Sequence, residues 1–344
     1  MFNTPLLLCF LLLLSGPLLF LFAPRILHSK HSLSDDDVDD ITLLHKRASL
    51  FPVGKHRITA VSRLGTTNPH RKIAFLFLTN TDLHFAPLWE RFFSGHEDLY
   101  NIYIHADPTS KVSSPGGVFA GRFIPAKKTQ RASPSLIAAA RRLLATAILD
   151  DPLNSYFAVI SQNCIPLHSF NFIYKSLFSL AHFRMHKSFI EILANEPQLW
   201  DRYIARGESV MLPEVPFDQF RIGSQFFVLT RNHAQLVIRD RKLWRKFKLP
   251  CLNEDSCYPE EHYFPTLLSM EDPNGCTHYT LTRVNWTGSV GGHPHTYYPA
   301  EISAELIHEL RESNNTHSLM FARKFSPDCL KPLMDIADKV IFRD

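Results

Sequence analysis

Hydrophobic and polar positions fall into three regimes along this chain. From Pro5 to Pro24 it reads PLLLCFLLLLSGPLLFLFAP, and the charge-free stretch from Leu6 to Ala23 is long enough to cross a bilayer as a helix. Residues 28–70 then lose any sustained apolar period, and their SDDDVDD run (34–40) reads as a solvated spacer rather than a carboxylate cluster for a metal. From Arg71 onward, short apolar runs alternate with helical spacing. KIAFLFLT (72–79) predicts a buried strand, FAPLWERFF (85–93) a helix stopped near Gly95, LYNIYIHAD (99–107) a second strand and GRFIPA (121–126) a third. Ser133 is placed to cap a helix with Pro134 in its first turn. Leu136, Ile137, Ala140, Leu143, Leu144, Ala147 and Ile148 then recur at helical spacing. YFAVIS (156–161) returns as a strand. This alternation predicts an α/β fold with a largely parallel central sheet flanked by helices, and with ligands bound at the carboxyl ends of the strands.

The second half is more mixed. SFIEI (188–192), SQFFVLT (224–230), HYTLTRVNW (278–286) and LMFARKF (319–325) predict strands. RNHAQLVIRDRKLW (231–244), PEEHYFPTLLSM (259–270) and AEISAELIHELRES (300–313) predict helices, the second one kinked or ended early by Pro265. The expected organisation is an N-terminal membrane anchor (1–27), a stem (28–70) and one globular domain (71–344). The apolar run continues past Ser15 and Gly16, which favours an anchor over a cleaved signal peptide. Arg25 and Lys30 follow the run and no basic side chain precedes it, the reverse of what the positive-inside rule prefers for a type II anchor.

Composition narrows the classes. The net charge is only +4 and no run of five like charges occurs, which argues against a nucleic-acid partner. Of six cysteines, Cys9 lies in the apolar run. The other five are an odd number, so at least one stays unpaired within the chain even in an oxidising lumen. No Cys-x-x-Cys pair occurs, which removes the common zinc frameworks. Asn285-Trp286-Thr287 and Asn314-Asn315-Thr316 are acceptor sequons, which makes Asn285 and Asn314 candidate glycosylation sites.

Transfer from a nucleotide sugar needs a base for the incoming hydroxyl and positive charge for the departing diphosphate. Many such enzymes hold a metal with acidic residues at a strand end. Here the place after 156–161 reads Ser161-Gln162-Asn163, so lysine or arginine would have to serve instead. Glu260 and Glu261 open a helix among aromatics, where a carboxylate can act as a base or can simply complement the helix dipole. Arg323 and Lys324 form a basic pair inside an apolar strand. Trp286 could stack on a sugar ring or belong to the core. His293 and His295 lack a third ligand nearby and read as part of a glycine-rich turn, with no metal expected. Cys164 reads as buried or bonded. No G-x-S-x-G, G-x-G-x-x-G or P-loop is present. A hydrolase using Glu260 with Glu261 is disfavoured, because adjacent helical residues point apart.

KIAFLFLTNTDL, NIYIHADP, SQNCIPLHSFNFIY, SFIEI, RIGSQFFVLTRNHA, CYPEEHYFPTLL, RVNWTGSVGGHPHTY and LMFARKF follow one another from about residue 71 to 330. Together they resemble the plant branch of the core-2/I-branching β-1,6-N-acetylglucosaminyltransferases, glycosyltransferase family 14. The resemblance implies a GT-A-like fold and an inverting transfer that needs neither metal nor other cofactor. It implies Glu261 as catalytic base, Lys324 with Arg323 on the donor diphosphate, Asp107 on the nucleotide, and Glu191 and Trp286 on the acceptor. The implied partners are a UDP-sugar, a glycan or glycoprotein acceptor and, through the N-terminal helix, the Golgi membrane, with a lumenal type II domain. UDP-GlcNAc is the expected donor. UDP-glucuronic acid, UDP-xylose, or a degenerate glycan-binding scaffold role are the alternatives. Four stretches depart from the family pattern: Gln162-Asn163 replaces Glu-Ser, TQRASPS (129–135) lacks the usual Trp-Gly, AAARRLL (138–144) has Ala140 where an acidic-arginine pair is common nearby, and GGHPHTYYPAE (291–301) offers no clear counterpart of the family's second diphosphate-binding arginine.

Overall fold

The computed structural model describes residues 70–179, 187–289 and 292–344; the expected anchor and, but for His70, the expected stem lie outside the described residues. Among the described residues, no helix is long and apolar enough to cross a membrane. The strands are β1 (Lys72–Thr79), β2 (Tyr100–Ala106), β3 (Asn154–Ser161), β4 (Ile165–Pro166), β5 (Ser188–Glu191), β6 (Val228–Thr230), β7 (Cys276–His278), β8 (Thr282–Val284) and β9 (Phe321–Arg323). The helices are α1 (Ala86–Phe93), α2 (Pro134–Asp150), α3 (Phe170–Phe178), α4 (Leu199–Ile204), α5 (Arg231–Arg239), α6 (Lys242–Phe247), α7 (Glu254–Cys257), α8 (Tyr263–Glu271), α9 (Ala304–Arg311) and α10 (Leu330–Ile336).

The main sheet runs β2-β1-β3-β6-β5-β7, and a small sheet runs β4-β9-β8. β1 pairs in parallel with both β2 and β3. β6 is antiparallel to β3 and β5, and β7 is again parallel to β5. The result is a mixed α/β fold with a mostly parallel central sheet flanked by helices. Residues 73–79 of β1 are all buried, as a strand covered on both faces requires. Phe75 lies edge-on to Phe93 at 4.9 Å and to Trp89 at 6.1 Å. The Trp89 indole N–H donates to the Cys164 carbonyl at 3.1 Å and so ties α1 to the turn after β3.

Ser133 caps α2 as expected, its hydroxyl accepting from the Ser135 N–H. Several second-half elements differ from the expected ones. The 121–126 stretch makes a single bridge, Phe123 to Ile104, and is no strand. In 224–230 only Val228–Thr230 is a strand, because the Ser224 hydroxyl turns the chain by accepting from the Phe226 N–H. Helix 231–244 is two helices. Asp240 ends α5, and its carboxylate accepts from the N–H groups of Leu243 and Trp244 to start α6. Pro265 causes no kink, since it sits in the first turn of α8, where its missing N–H would have no helical partner. Residues 278–286 split into the end of β7 and β8. Helix 300–313 shrinks to α9, capped by Ser303.

Where β5, β6 and α5 meet, three side chains fasten the layers. The Ser188 Oγ lies 2.7 Å from His233 Nδ1, and His233 Nε2 lies 3.1 Å from Asp272 Oδ2. Ser188 is fully buried and also accepts from the Thr230 N–H at 2.9 Å.

Candidate active site

The site begins with a strained turn. Cys257 closes α7 and is joined to Cys251 by a disulfide, while Cys164, Cys276 and Cys329 are buried free thiols. Tyr258 follows at φ 38, in the left-handed region, and launches a 3₁₀ turn over Pro259–Glu261. This turn separates the two glutamates. Glu260 faces inward at 3% exposure and accepts the Ala132 N–H on Oε1 at 3.0 Å. Burial, reinforced by the charge of Glu261, pushes its pKa up to about 7. Arg206 is equally buried, which lowers its pKa to about 10 against the opposing charge of Glu260. Glu261 stays partly open, and its Oε2 accepts from Arg202 Nη1 on α4 at 2.7 Å. Glu260 is closed off from solvent, whereas Glu261 is partly exposed.

Gly223 sets Glu261 beside Glu191. The Gly223 N–H donates to the Glu261 carbonyl at 2.8 Å. A Cβ on Gly223 would lie 1.9 Å from the Glu191 carbonyl oxygen, so only glycine lets the two backbones meet there. Burial raises the Glu191 pKa, and the charges of Glu196 and Glu261 add to it.

The cations come from the end of β9. The Arg323 guanidinium lies 4.2 Å from the centre of the Phe226 ring, and its buried Nε has no hydrogen-bond partner. Burial lowers the Arg323 pKa, Arg131 lowers it further, and Glu261 opposes them. Burial, then Arg323 and Arg131, lower that of Lys324. Arg131, in the loop before α2, bonds His293 Nε2 through Nη1 at 2.6 Å and the Gly292 carbonyl through Nη2 at 3.0 Å. The Tyr258 ring carries Arg131 at 5.6 Å and Arg202 at 4.9 Å, and so bridges the cationic and acidic sides.

The remaining expected residues lie around this centre. Asp107 ends β2 in a buried position. It accepts the N–H and hydroxyl of Thr109 on Oδ1 and those of Thr129 on Oδ2, at 2.6 to 2.8 Å. Burial alone would raise its pKa, but these four bonds outweigh burial and hold it well below the usual carboxylate range. Val284 pairs with Arg323, so the chain passes directly from the cationic strand pair to Asn285 and Trp286. Trp286 is 55% exposed and is therefore not a core residue. The Asn285 side chain accepts from the Thr287 N–H at 2.9 Å. Asn314 is exposed beyond the end of α9. Gln162 donates to Asn80 at 2.8 Å, an amide pair across the carboxyl ends of β3 and β1. His295 contacts Glu301 at 2.7 Å. Among the described residues, no three His, Cys, Asp or Glu side chains group closely enough to hold a metal.

Arg131 and Arg202 escaped sequence reasoning. Neither sits in an apolar run, and each gains its meaning from a partner more than 50 residues away in the chain.

A partly exposed Glu261 held by Arg202, and a basic pair at the end of β9, are the kinds of group that a transfer reaction with an anionic leaving group needs. Residues 73–311 match the Core-2/I-Branching enzyme family, and the chain belongs to that family. It is 28% identical over 317 residues to glycosyltransferase BC10 of Oryza sativa subsp. japonica, covering 77% of this chain and 76% of that protein. It is a glycosyltransferase.

Proposed function

We propose that this chain is an inverting, metal-independent glycosyltransferase of GT-A-like fold that moves GlcNAc from UDP-GlcNAc to a hydroxyl of a glycan or glycoprotein. The observation that carries the reading is the Tyr258 ring, which carries both Arg202, bonded to Glu261 at 2.7 Å, and Arg131, bonded to His293. Glu261 takes the proton of the acceptor hydroxyl, and that oxygen attacks the anomeric carbon from the face opposite UDP. Lys324 and Arg323 hold the diphosphate as its charge develops, in the place a divalent cation fills in other enzymes. The amide pair of Gln162 and Asn80 at the strand ends, in place of carboxylates, supports that substitution. Glu191 and the exposed Trp286 receive the acceptor sugar, and Asp107 organises the nucleotide side. A lumenal Golgi location fits the apolar N-terminal run and the disulfide.

UDP release from UDP-GlcNAc, UDP-glucuronic acid and UDP-xylose, measured with a chelator present, tests donor and metal together. Glu261→Gln removes turnover and leaves UDP affinity close to wild type. Full turnover by that variant, or activity only with added metal, defeats the mechanism.

A further inference from the structure

Resting on this reading, we propose that Arg131 is a donor-binding residue whose guanidinium grips the diphosphate of the nucleotide sugar together with Arg323 and Lys324. The first ground is unbalanced charge. Arg131 bonds His293 and Gly292, and the segment that follows them meets the cationic strand end, where the Tyr297 N–H donates to the Lys324 carbonyl at 2.8 Å. Among the described residues, none of Arg131, Arg323 and Lys324 is ion-paired to a carboxylate, since Glu261 is taken by Arg202. Arginine keeps its charge at any working pH. Its present partners, the His293 ring nitrogen and the Gly292 carbonyl, are neutral acceptors. Such a group gains by exchanging them for phosphate oxygens, which match its fork.

The second ground is how Arg131 is presented. Two buried carboxylates fasten the backbone on either side of it. Asp107 binds the N–H and hydroxyl of Thr129, and Glu260 binds the N–H of Ala132. Ala132 sits at φ 56. The backbone is thus fixed while the side chain remains exposed. It shares the Tyr258 ring with Arg202, the ion-pair partner of Glu261. A surface arginine with no such role would not need its loop anchored by two acids.

The experiment is calorimetric titration of the full chain in detergent with UDP and, separately, with uridine. Arg131→Met weakens UDP binding by roughly 10-fold to 100-fold, the effect of losing charged hydrogen bonds, and leaves uridine binding unchanged. Arg131→Lys falls between, because it keeps the charge and loses the fork. The side chain is exposed, so the melting temperature should hold. If Arg131→Met is unstable, Arg131→Gln in the same titration decides. UDP affinity within twofold of wild type, while Lys324→Met binds UDP weakly, overturns the assignment of Arg131 and leaves the transferase reading standing. Equal weakening for UDP and uridine also overturns it, because the arginine would then act on loop shape. A wild-type chain that binds no UDP overturns both readings.

Discussion

Gly223→Ala tests whether the acidic half of the site depends on one close backbone approach. The new Cβ would lie 1.9 Å from the Glu191 carbonyl oxygen and 2.7 Å from its carbon, both backbone atoms that cannot rotate away. An ordinary contact is about 3.4 Å, so the segments must part by about 1.5 Å. Overpacking of this kind costs about 1–3 kcal/mol. At about 2–4 °C per kcal/mol for a domain of this size, the melting temperature falls by roughly 2–12 °C. The functional loss should be larger than the stability loss. The Gly223 N–H holds the Glu261 carbonyl, and a displacement of about 1 Å can cost 100-fold in rate. Initial rates of UDP release, measured well below the melting temperature, should fall about 100-fold. UDP affinity should stay near wild type, because the cations stand on β9 and the loop before α2. A Gly223→Ala protein with wild-type kcat and melting temperature would refute the close approach and its role in aiming Glu261.

Three further outcomes follow from the same geometry. Glu260 has a raised pKa, so it favours the folded state fully below the unfolded value of 4.5, and that contribution is lost as pH rises to about 7. Its size is on the order of 3 kcal/mol, and Glu260→Gln should flatten the stability profile between pH 4.5 and 7, which denaturant melts at several pH values measure. Asp107 has a lowered pKa, so its contribution is present above the unfolded 3.8 and lost as pH falls through the folded value. Asp107→Asn sets an amide NH2 against the donors of either Thr109 or Thr129, destabilises the fold at pH 7 by about 1–3 kcal/mol, and weakens the acid dependence below pH 4. The Cys251–Cys257 bond closes a short loop and is worth about 2 kcal/mol by chain entropy. Cys251→Ser with Cys257→Ser should lower the melting temperature and, by loosening Tyr258, depress kcat; unchanged values for both would show that the turn holds itself.

What could be read from the chain, and what could not, divides along physical lines. β1, β2, β3 and α2 were legible because strands buried on both faces carry unbroken apolar runs and because Ser133 and Pro134 mark a helix start locally. The second half was less legible because its strands are three or four residues long, and β6 finds its place only by inserting between β3 and β5. Asp240 broke a helix through its carboxylate, a contact that apolar periodicity does not register. Glu260 and Glu261 are neighbours with the same side chain. Their division into an inner and an accessible acid depends on Ala132, more than 120 residues away. The resemblance pointed to Lys324 and Glu261, whereas Arg131 and Arg202 emerge only when loops from different parts of the chain meet at Tyr258.

The Ser188, His233 and Asp272 cluster has a practical consequence. Its residue types would satisfy a template search for a hydrolytic triad. Yet the serine hydroxyl is closed off from solvent and already accepts a backbone N–H. A fluorophosphonate activity probe should therefore leave the native protein unlabelled. Chemical reactivity at such a trio requires a path for the electrophile as well as the right neighbours, and here the sheet itself blocks that path.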